Sequence, residues 1–206
     1  MFKAIGEFIY RKKINEVDFL LSIKRIWDVN KIKLSELEIE CYSRIKSPSR
    51  KVEFLGVRVL KNQIHPEFEL TYLTNGKPVL KNAPVEVSIS HSRNFIAFAS
   101  ASHAIGIDIE ECNERILKVK DRFLNDSEKK IFNQNSIVEL TIAWCAKEAM
   151  FKLNKNDGIN FKSDLIITKW DKTSKMSAKM LENLEWKNVD LYVEKIDNLV
   201  ICFNFE

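Results

Sequence analysis

The chain has 206 residues, of which 45% are hydrophobic and 30% are charged. This composition is typical of a soluble globular protein and excludes a disordered segment or a coiled coil. The net charge of +4 comes from 33 basic and 29 acidic residues mixed along the chain, so it does not predict nucleic-acid binding, but it would suit an anionic small molecule or an acidic partner.

Cysteine usage and hydropathy indicate where the protein acts. The four cysteines show neither metal-ligand nor disulfide spacing, and we interpret them as reduced thiols. No stretch approaches the roughly 20 consecutive apolar residues of a membrane helix. The basic N-terminal segment lacks the unbroken apolar core of a secretory signal. We therefore expect a cytoplasmic protein with no membrane association.

The first 80 residues favour helices. Apolar residues at helical spacing predict helices over 17–27 and 34–45, the second capped by Ser35. A break at 47–49 precedes a third predicted helix over 50–60. The cluster Asn75-Gly76-Lys77-Pro78 predicts a turn. The core stripe expected for the third helix consists of Val52, Leu55, Val59 and Leu60.

The remaining elements are mostly strands. Short β-type runs predict strands over 85–89, 95–100 and 104–109, the last two as a hairpin that turns near 102–103. Asn125 or Asp126 is expected to cap a helix that contains Glu128. The longest helical pattern covers 137–153. Three further strands are predicted, over 165–168, 189–193 and 199–205. This order of elements predicts an α+β fold.

Two acidic residues stand two positions apart in the apolar segment Gly106-Ile107-Asp108-Ile109-Glu110. The period of a strand places both carboxylates on one face. Adjacent carboxylates repel each other and are costly to bury, and Mg²⁺, which takes oxygen ligands, would relieve that cost. Taken alone, however, the pattern favours an exposed edge strand whose acids are solvated.

A second charged pattern lies in the longest predicted helix. Trp144, Glu148 and Lys152 fall on one helix face at i, i+4 and i+8. Glu148 could be a third metal ligand or a general base, and Lys152 could contact a phosphate. Taken alone, the Glu–Lys spacing is better explained as a helix pair worth only about 0.3–0.5 kcal/mol.

Other candidate phosphate-binding residues lie upstream. His91 stands between two serines after a strand, where it could donate to phosphate oxygens or could simply be a turn histidine. A serine hydrolase is disfavoured because the chain has no G-x-S-x-G elbow. Lys77 lies in a turn that does not have the P-loop pattern. Three further cations could be phosphate contacts or solvated helix charges: Arg50, Lys51 and Arg58.

The order and spacing of four motifs resemble those of the 4′-phosphopantetheinyl transferase superfamily. The motifs are N-G-K-P at 75–78, S-I-S-H-S at 88–92, G-I-D-I-E at 106–110 and W-x-x-K-E-A-x-x-K at 144–152. The larger, surfactin-type branch, with two similar halves in one chain, is the closer one, since R-x-x-E-x-L-G-x-R over 50–58 also fits it. The resemblance spans about residues 48–160. The segment 154–159 departs from the family by having one glycine where a G-x-G turn is usual.

The resemblance implies a specific architecture. We expect an α+β fold made of two similar α/β subdomains in a pseudo-twofold arrangement, each a small, mostly antiparallel sheet packed with helices. The halves would be residues 1–101, on the coenzyme A adenosine and 3′-phosphate side, and residues 102–206, with the metal site and long helix. We expect a monomer, because the smaller branch of the superfamily builds its site between subunits.

The resemblance also implies a reaction. Such enzymes transfer the 4′-phosphopantetheine arm of coenzyme A to a serine of an apo acyl or peptidyl carrier protein and release 3′,5′-adenosine bisphosphate. Asp108, Glu110 and Glu148 would hold Mg²⁺, with Mn²⁺ as an alternative. Glu148, or a water beside it, would take the serine proton. Lys152 would contact the α-phosphate.

The remaining substrate contacts are assigned by the same resemblance. Ser90 and His91 would bind the pyrophosphate or the 3′-phosphate. Lys77 would reach the adenosine end, and either Arg50 or Lys51 would bind the 3′-phosphate. The segment 115–124 is expected to face the carrier protein.

Two other functions remain open at this point. A catalytically silent protein of the same fold could bind coenzyme A or a carrier protein. A small metal-dependent hydrolase could use the same acids on a phosphoanhydride.

Overall fold

The computed structural model describes residues 3–6, 9–24, 27–154 and 158–205. The chain divides into two units, Met1–His103 and Ala104–Glu206. All strand pairs in the described residues are antiparallel, and the helices pack on the sheets, which confirms the α+β class. The similarity and pseudo-twofold relation of the two halves stay predictions. No helix in the described part of the chain is long and apolar enough to cross a membrane.

The first unit contains a five-stranded sheet in the order β1-β2-β3-β7-β6, a two-stranded β4-β5 ribbon and two α-helices. The elements are β1 (Lys3–Gly6), β2 (Ile9–Ile14), β3 (Val17–Ile23), α1 (Glu36–Arg44), α2 (Pro48–Ile64), β4 (Leu70–Tyr72), β5 (Pro78–Leu80), β6 (Glu86–His91) and β7 (Phe95–Ala101), with a short 3-10 turn at Val29–Lys31.

Local chemistry explains where these helices begin. Ser35 and Glu38 form a reciprocal capping box at the start of α1, as the sequence predicts. Ser47 caps α2 and Pro48 occupies its first turn, so the predicted chain break is in fact a helix start. Helix α2 packs on β7 and β3. Its buried apolar residues are Leu55, Val57 and Leu60, so Val57 replaces Val52 and Val59 in the predicted core stripe.

The predicted helix over 17–27 is wrong. Val17–Ile23 is strand β3, which pairs with β2 on one side and β7 on the other. Phe19, Leu20 and Leu21 are all buried, so both faces of the strand are covered. A strand buried on both faces reads as a continuous apolar run, which hydrophobic spacing alone does not distinguish from a helix. Residues 25–26 of this prediction lie outside the described residues.

The second unit contains a five-stranded sheet in the order β8-β12-β11-β10-β9. Helix α5 packs on β8 and β12, with Leu140, Ala143, Ala146 and Met150 in its buried core. The elements are β8 (Ile107–Glu111), α3 (Arg115–Phe123), α4 (Glu128–Ile131), α5 (Ile137–Leu153), β9 (Leu165–Trp170), β10 (Lys175–Glu182), β11 (Glu185–Ile196) and β12 (Leu199–Asn204).

The predicted hairpin of 95–100 with 104–109 is also wrong. Strand β7 pairs with β3 and β6, whereas β8 pairs with β12, the last strand of the chain. The side chain of Asn204 fixes the start of β8, because its Oδ1 accepts from Gly106 N at 2.8 Å and its Nδ2 donates to Ala104 O at 2.8 Å. The bounds of α5 match the prediction. The N-cap of α4 is Ser127 rather than the predicted Asn125 or Asp126, although the side chain of Asn125 does accept from Glu128 N at 3.0 Å.

Candidate active site

The two acids of G-I-D-I-E lie on the face of β8 that is covered by α5. Asp108 is opposite Cys202 in β12 and Glu110 is opposite Val200, and both of these partners belong to the core beneath α5. Asp108 is only 4% exposed and Glu110 is half-buried. The strand does lie at the edge of its sheet, but its acids are not simply solvated.

The three residues predicted to share one face of α5 lie against these acids. Trp144 Nε1 donates to Glu110 Oε1 at 3.0 Å. Lys152 Nζ donates to Asp108 Oδ1 at 2.8 Å and to Ile107 O at 2.9 Å. Glu148 lies between Trp144 and Lys152 on the same helix face. The structure therefore brings together the four charged residues that the sequence singled out in this half.

The glycine that precedes the acids allows this close approach. A Cβ built on Gly106 would overlap Ala149 O and would lie 2.9 Å from Leu153 N, and both atoms belong to the backbone of α5. A larger residue would therefore push β8 away from the helix. The sequence contained this signal in the first letter of G-I-D-I-E, but the interpretation of that motif used only its acids.

The acid cluster carries more negative charge than its surroundings offset. Burial, together with the charge of Asp108, raises the pKa of Glu110 to about 7, although Trp144 and Lys152 act in the opposite direction. Burial and Asp108 likewise raise the pKa of Glu148 to about 7. Both shifts have the same physical cause, which is desolvation of a carboxylate beside another carboxylate.

The chemistry of this donor set fits a hard divalent cation. Carboxylate oxygens with surplus negative charge are what Mg²⁺ takes as ligands. The positions do not already form a coordination shell, since no three His, Cys, Asp or Glu side chains of the described ranges are grouped as metal ligands. One oxygen of Asp108 is engaged by Lys152, and one oxygen of Glu110 is engaged by Trp144.

A buried lysine next to Glu148 escaped the sequence interpretation. The Lys147 side chain is completely buried, and its Nζ donates to Glu128 Oε2 at 2.8 Å and to the carbonyls of Phe123 and Phe161 at 2.7 Å. Burial lowers the pKa of Lys147, although the charge of Glu128 opposes this. Glu128 Oε1 also accepts from Ile167 N at 2.8 Å. This ion pair therefore clamps α3, α4 and β9 against α5.

The same clamp holds the indole that contacts Glu110. Trp144 stacks on Phe161 with ring centroids 5.3 Å apart and meets Phe123 edge-on at 5.2 Å. Lys147 donates to the backbone carbonyls of these two phenylalanines. The ion pair and the aromatic cluster therefore act together to hold Trp144 in place. The signal in the sequence was the charged pair Lys147-Glu148 inside an apolar helix.

The first unit contains a cavity of about 460 Å³, formed by α2, β6 and the turn before β5. Its walls are mainly apolar and aromatic, and three of the polar lining residues, Arg50, Glu53 and His91, lie close together. The lining residues are Ile45, Arg50, Glu53, Phe54, Val57, Arg58, Tyr72, Gly76, Pro78, Ile89 and His91.

Two of the predicted ligand-binding residues of the first half line this cavity and three do not. Arg50 and His91 are lining residues. Lys51 instead lies over the ring of Tyr42, with its Nζ 5.0 Å from the centroid. Lys77 Nζ is paired with Glu86 at 2.8 Å, although its neighbours Gly76 and Pro78 form part of the wall. Ser90 is buried and, one position before His91 in β6, faces the opposite side of the sheet.

The cavity also contains an acid that the sequence interpretation missed. Glu53 accepts from Lys24 Nζ at 2.7 Å and from Arg50 at 3.3 Å, and lies 3.6 Å from His91 Nε2. Burial raises the pKa of Glu53, but the hydrogen bond from Lys24 and the nearby cations outweigh it, so the pKa lies below its ordinary value. Burial lowers the pKa of His91, with Glu53 acting in the opposite direction.

Arg58 forms part of the cavity wall while remaining largely buried. Its Nε pairs with Glu38 at 3.1 Å, and its guanidinium lies 3.5 Å from the centroid of Phe54. The residue therefore links α1 to α2, which favours a structural role for it over a solvated charge.

Two further expectations have different outcomes. The segment 115–124 does form an element of its own, helix α3, but its orientation toward a carrier protein stays a prediction. The unusual turn after Lys152 includes residues 155–157, which lie outside the described residues.

Comparison with known families gives one match. The model of the 4′-phosphopantetheinyl transferase superfamily matches residues 104–203. The matched range includes β8 and α5, and so includes Asp108, Glu110, Glu148 and Lys152. Comparison of the chain with curated proteins gives no significant match.

Proposed function

We propose that this protein is a 4′-phosphopantetheinyl transferase of the larger, surfactin-type branch. It would transfer the phosphopantetheine arm of coenzyme A to a serine of an apo acyl or peptidyl carrier protein and release 3′,5′-adenosine bisphosphate. The match over residues 104–203 supports a phosphopantetheinyl transferase function in general. The observation that carries the proposal is the cluster of β8 acids against Glu148 and Lys152 of α5, which lies inside that range.

The second unit would supply the reacting groups. Asp108, Glu110 and Glu148 would hold Mg²⁺, or Mn²⁺ as an alternative, and the bound ion would offset charge on the pyrophosphate. Glu148, or a water beside it, would take the proton from the carrier serine. Lys152, now bonded to Asp108, is within this cluster to stabilise charge on the α-phosphate.

The first unit would bind the adenosine end of coenzyme A. The apolar and aromatic walls of its cavity suit a nucleoside, and the basic side chains of Arg50 and His91 suit a phosphate. Arg50 is therefore the better candidate of the two alternatives for the 3′-phosphate, because Lys51 lies over Tyr42. Lys77 remains assigned to the adenosine end, beside the cavity wall. The burial of Ser90 gives its assigned phosphate contact no support.

The test is transfer to a panel of apo carrier proteins from fatty acid, polyketide and peptide synthesis. With coenzyme A and Mg²⁺, a correct carrier should gain about 340 Da, the mass of the prosthetic arm, in intact-mass spectrometry. Absence of this gain with every carrier would refute the transferase. Bisphosphate release without a carrier would instead indicate a phosphoanhydride hydrolase. Binding of coenzyme A that is independent of Mg²⁺ and leads to no transfer would indicate a silent binding protein.

A further inference from the structure

We propose that Lys24, which does not line the cavity of the first unit, sets the charge of its phosphate subsite by neutralising Glu53. This inference rests on the proposed function, because it assumes that the 3′-phosphate of coenzyme A binds beside Arg50. It adds a residue that would act on phosphate affinity without touching the ligand.

The geometry places one acid among three basic groups. Arg50 and Glu53 are three residues apart on α2 and so lie on the same side of the helix. Lys24 follows β3, where its backbone N donates to Asn94 O at 2.7 Å and fixes the start of its side chain. From there its Nζ reaches Glu53 Oε1, while the other carboxylate oxygen faces Arg50 and His91.

The four groups differ in their access to solvent. The side chains of Lys24 and Glu53 are 14% and 12% exposed, whereas those of Arg50 and His91 are 68% and 41% exposed. The inner pair is therefore held in place by packing, and the outer cations can reach a ligand. Lys24 pairs with the carboxylate of Glu53, whereas Arg50 is exposed enough to contact a bound phosphate.

The balance of charge depends on the inner lysine. Glu53 lines the cavity, so its carboxylate would repel a bound phosphate. Burial keeps the pKa of His91 below its ordinary value, so His91 adds little charge at neutral pH. Without Lys24, the charges of Arg50 and Glu53 would cancel. With Lys24 present, the cluster keeps one net positive charge for an anion.

The test measures binding of two nucleotides by isothermal titration calorimetry. Adenosine 3′,5′-bisphosphate contains the 3′-phosphate, whereas adenosine 5′-monophosphate lacks it. Lys24→Met should weaken binding of the bisphosphate by about tenfold, which is the loss expected when one net positive charge is removed near a partly exposed phosphate. Binding of the monophosphate should change by less than about threefold. Lys31→Met, which removes an exposed lysine of the same unit, should change neither affinity.

Two further variants make the outcome decisive. Lys24→Met/Glu53→Gln restores the local charge, so its affinity for the bisphosphate should return to within about threefold of wild type. This double variant also removes the acid that has lost its inner partner, and it covers the case in which Lys24→Met alone does not fold. Glu53→Gln alone, which keeps Lys24, should bind the bisphosphate at least as tightly as wild type.

The opposite results would overturn the proposal in distinguishable ways. A double variant that remains as weak as Lys24→Met, or a tenfold loss in Glu53→Gln, would show that Lys24 does not act through the charge of Glu53. Equal losses for both nucleotides would show a general structural effect. Wild-type protein that binds neither nucleotide would remove the coenzyme A assignment itself, and with it this inference.

Discussion

Replacing Gly106 with alanine tests the link between the fold of the second unit and its chemistry. The new Cβ would overlap the carbonyl oxygen of Ala149 and would lie 2.9 Å from Leu153 N. Both obstacles are helix backbone, so no side-chain rotation can relieve the overlap. Either β8 or α5 must shift. Overpacking of this kind costs about 1–3 kcal/mol, and we expect the upper part of that range because backbone must move.

The shift should also change the chemistry, because it separates the β8 acids from α5. Asp108 would move away from Lys152, with which it now shares a 2.8 Å hydrogen bond. A displacement of about 1 Å in a reacting group can lower a rate by about a hundredfold. We therefore expect Gly106→Ala to lose both stability and most of its transfer activity.

Urea unfolding followed by circular dichroism gives the stability, and the carrier mass assay gives the activity. Gly158→Ala is the matched control. No atom lies within 4 Å of its added Cβ, and its φ of +73° is the only source of strain. The control should therefore lose about 1 kcal/mol without the steric contribution. If Gly106→Ala unfolds within about 0.5 kcal/mol of wild type and transfers normally, the inferred backbone overlap is wrong.

Three other substitutions follow from the same geometry. Glu148→Gln should lower transfer at least about a hundredfold, whereas the urea midpoint should fall by little or rise, because a half-buried acid that repels Asp108 is removed. A large fall in the urea midpoint alongside the loss of transfer would contradict a catalytic role. Lys147→Met should destabilise the protein by about 3–5 kcal/mol, because Glu128 is left charged and buried. The double variant Lys147→Met/Glu128→Gln should recover part of this loss in urea unfolding. Trp144→Phe should keep the ring packing but lose the 3.0 Å hydrogen bond to Glu110, which should weaken Mg²⁺ binding in calorimetry by about threefold or more. Unchanged binding would show that this hydrogen bond does not orient Glu110 for the metal.

Local sequence signals were enough to locate the helices that begin with clear caps. Helix α1 carries a complete capping box at Ser35, and α5 carries a 17-residue helical pattern after Ser136. Strand β10 was missed although Met176, Ala178 and Met180 alternate with less buried residues along it. Its alanine and lysines weaken the β propensity that such a strand usually shows.

Long-range pairing accounts for the larger errors. Strand β8 follows β7 closely in the chain, which favours a hairpin, but its partner β12 lies about 90 residues further on. Nothing in residues 95–109 specifies that partner. The hydrogen bond by which Asn204 fixes the start of β8 likewise cannot be inferred from the sequence, because only the folded chain brings Asn204 next to Gly106. Sequence spacing predicts which residues share a face of one element, but not which elements meet.

In the candidate site, too, contacts within one element were predictable and contacts between elements were not. The acids of β8 and the face of α5 were predicted because their spacing lies within single elements. Lys24 and Glu53 were not, since 29 residues separate them and only the fold brings them together. Arg50 could be preferred to Lys51 only after the cavity and the Tyr42 ring were located.

Two adjacent residues of helix α5, Lys147 and Glu148, differ in role: the first stabilises the fold and the second faces the acids of β8. Lys147 is fully buried and its Nζ donates to three protein oxygens, so its charge has a structural explanation. Glu148, the next residue, faces the β8 acids, where burial and Asp108 raise its pKa to about 7. Burial of that carboxylate beside another gives the fold no stability, since each acid disfavours the charge of its neighbour. In the proposed transferase, the bound cation would offset this repulsion, while the ion pair, the aromatic cluster and Gly106 hold the acids in place against α5.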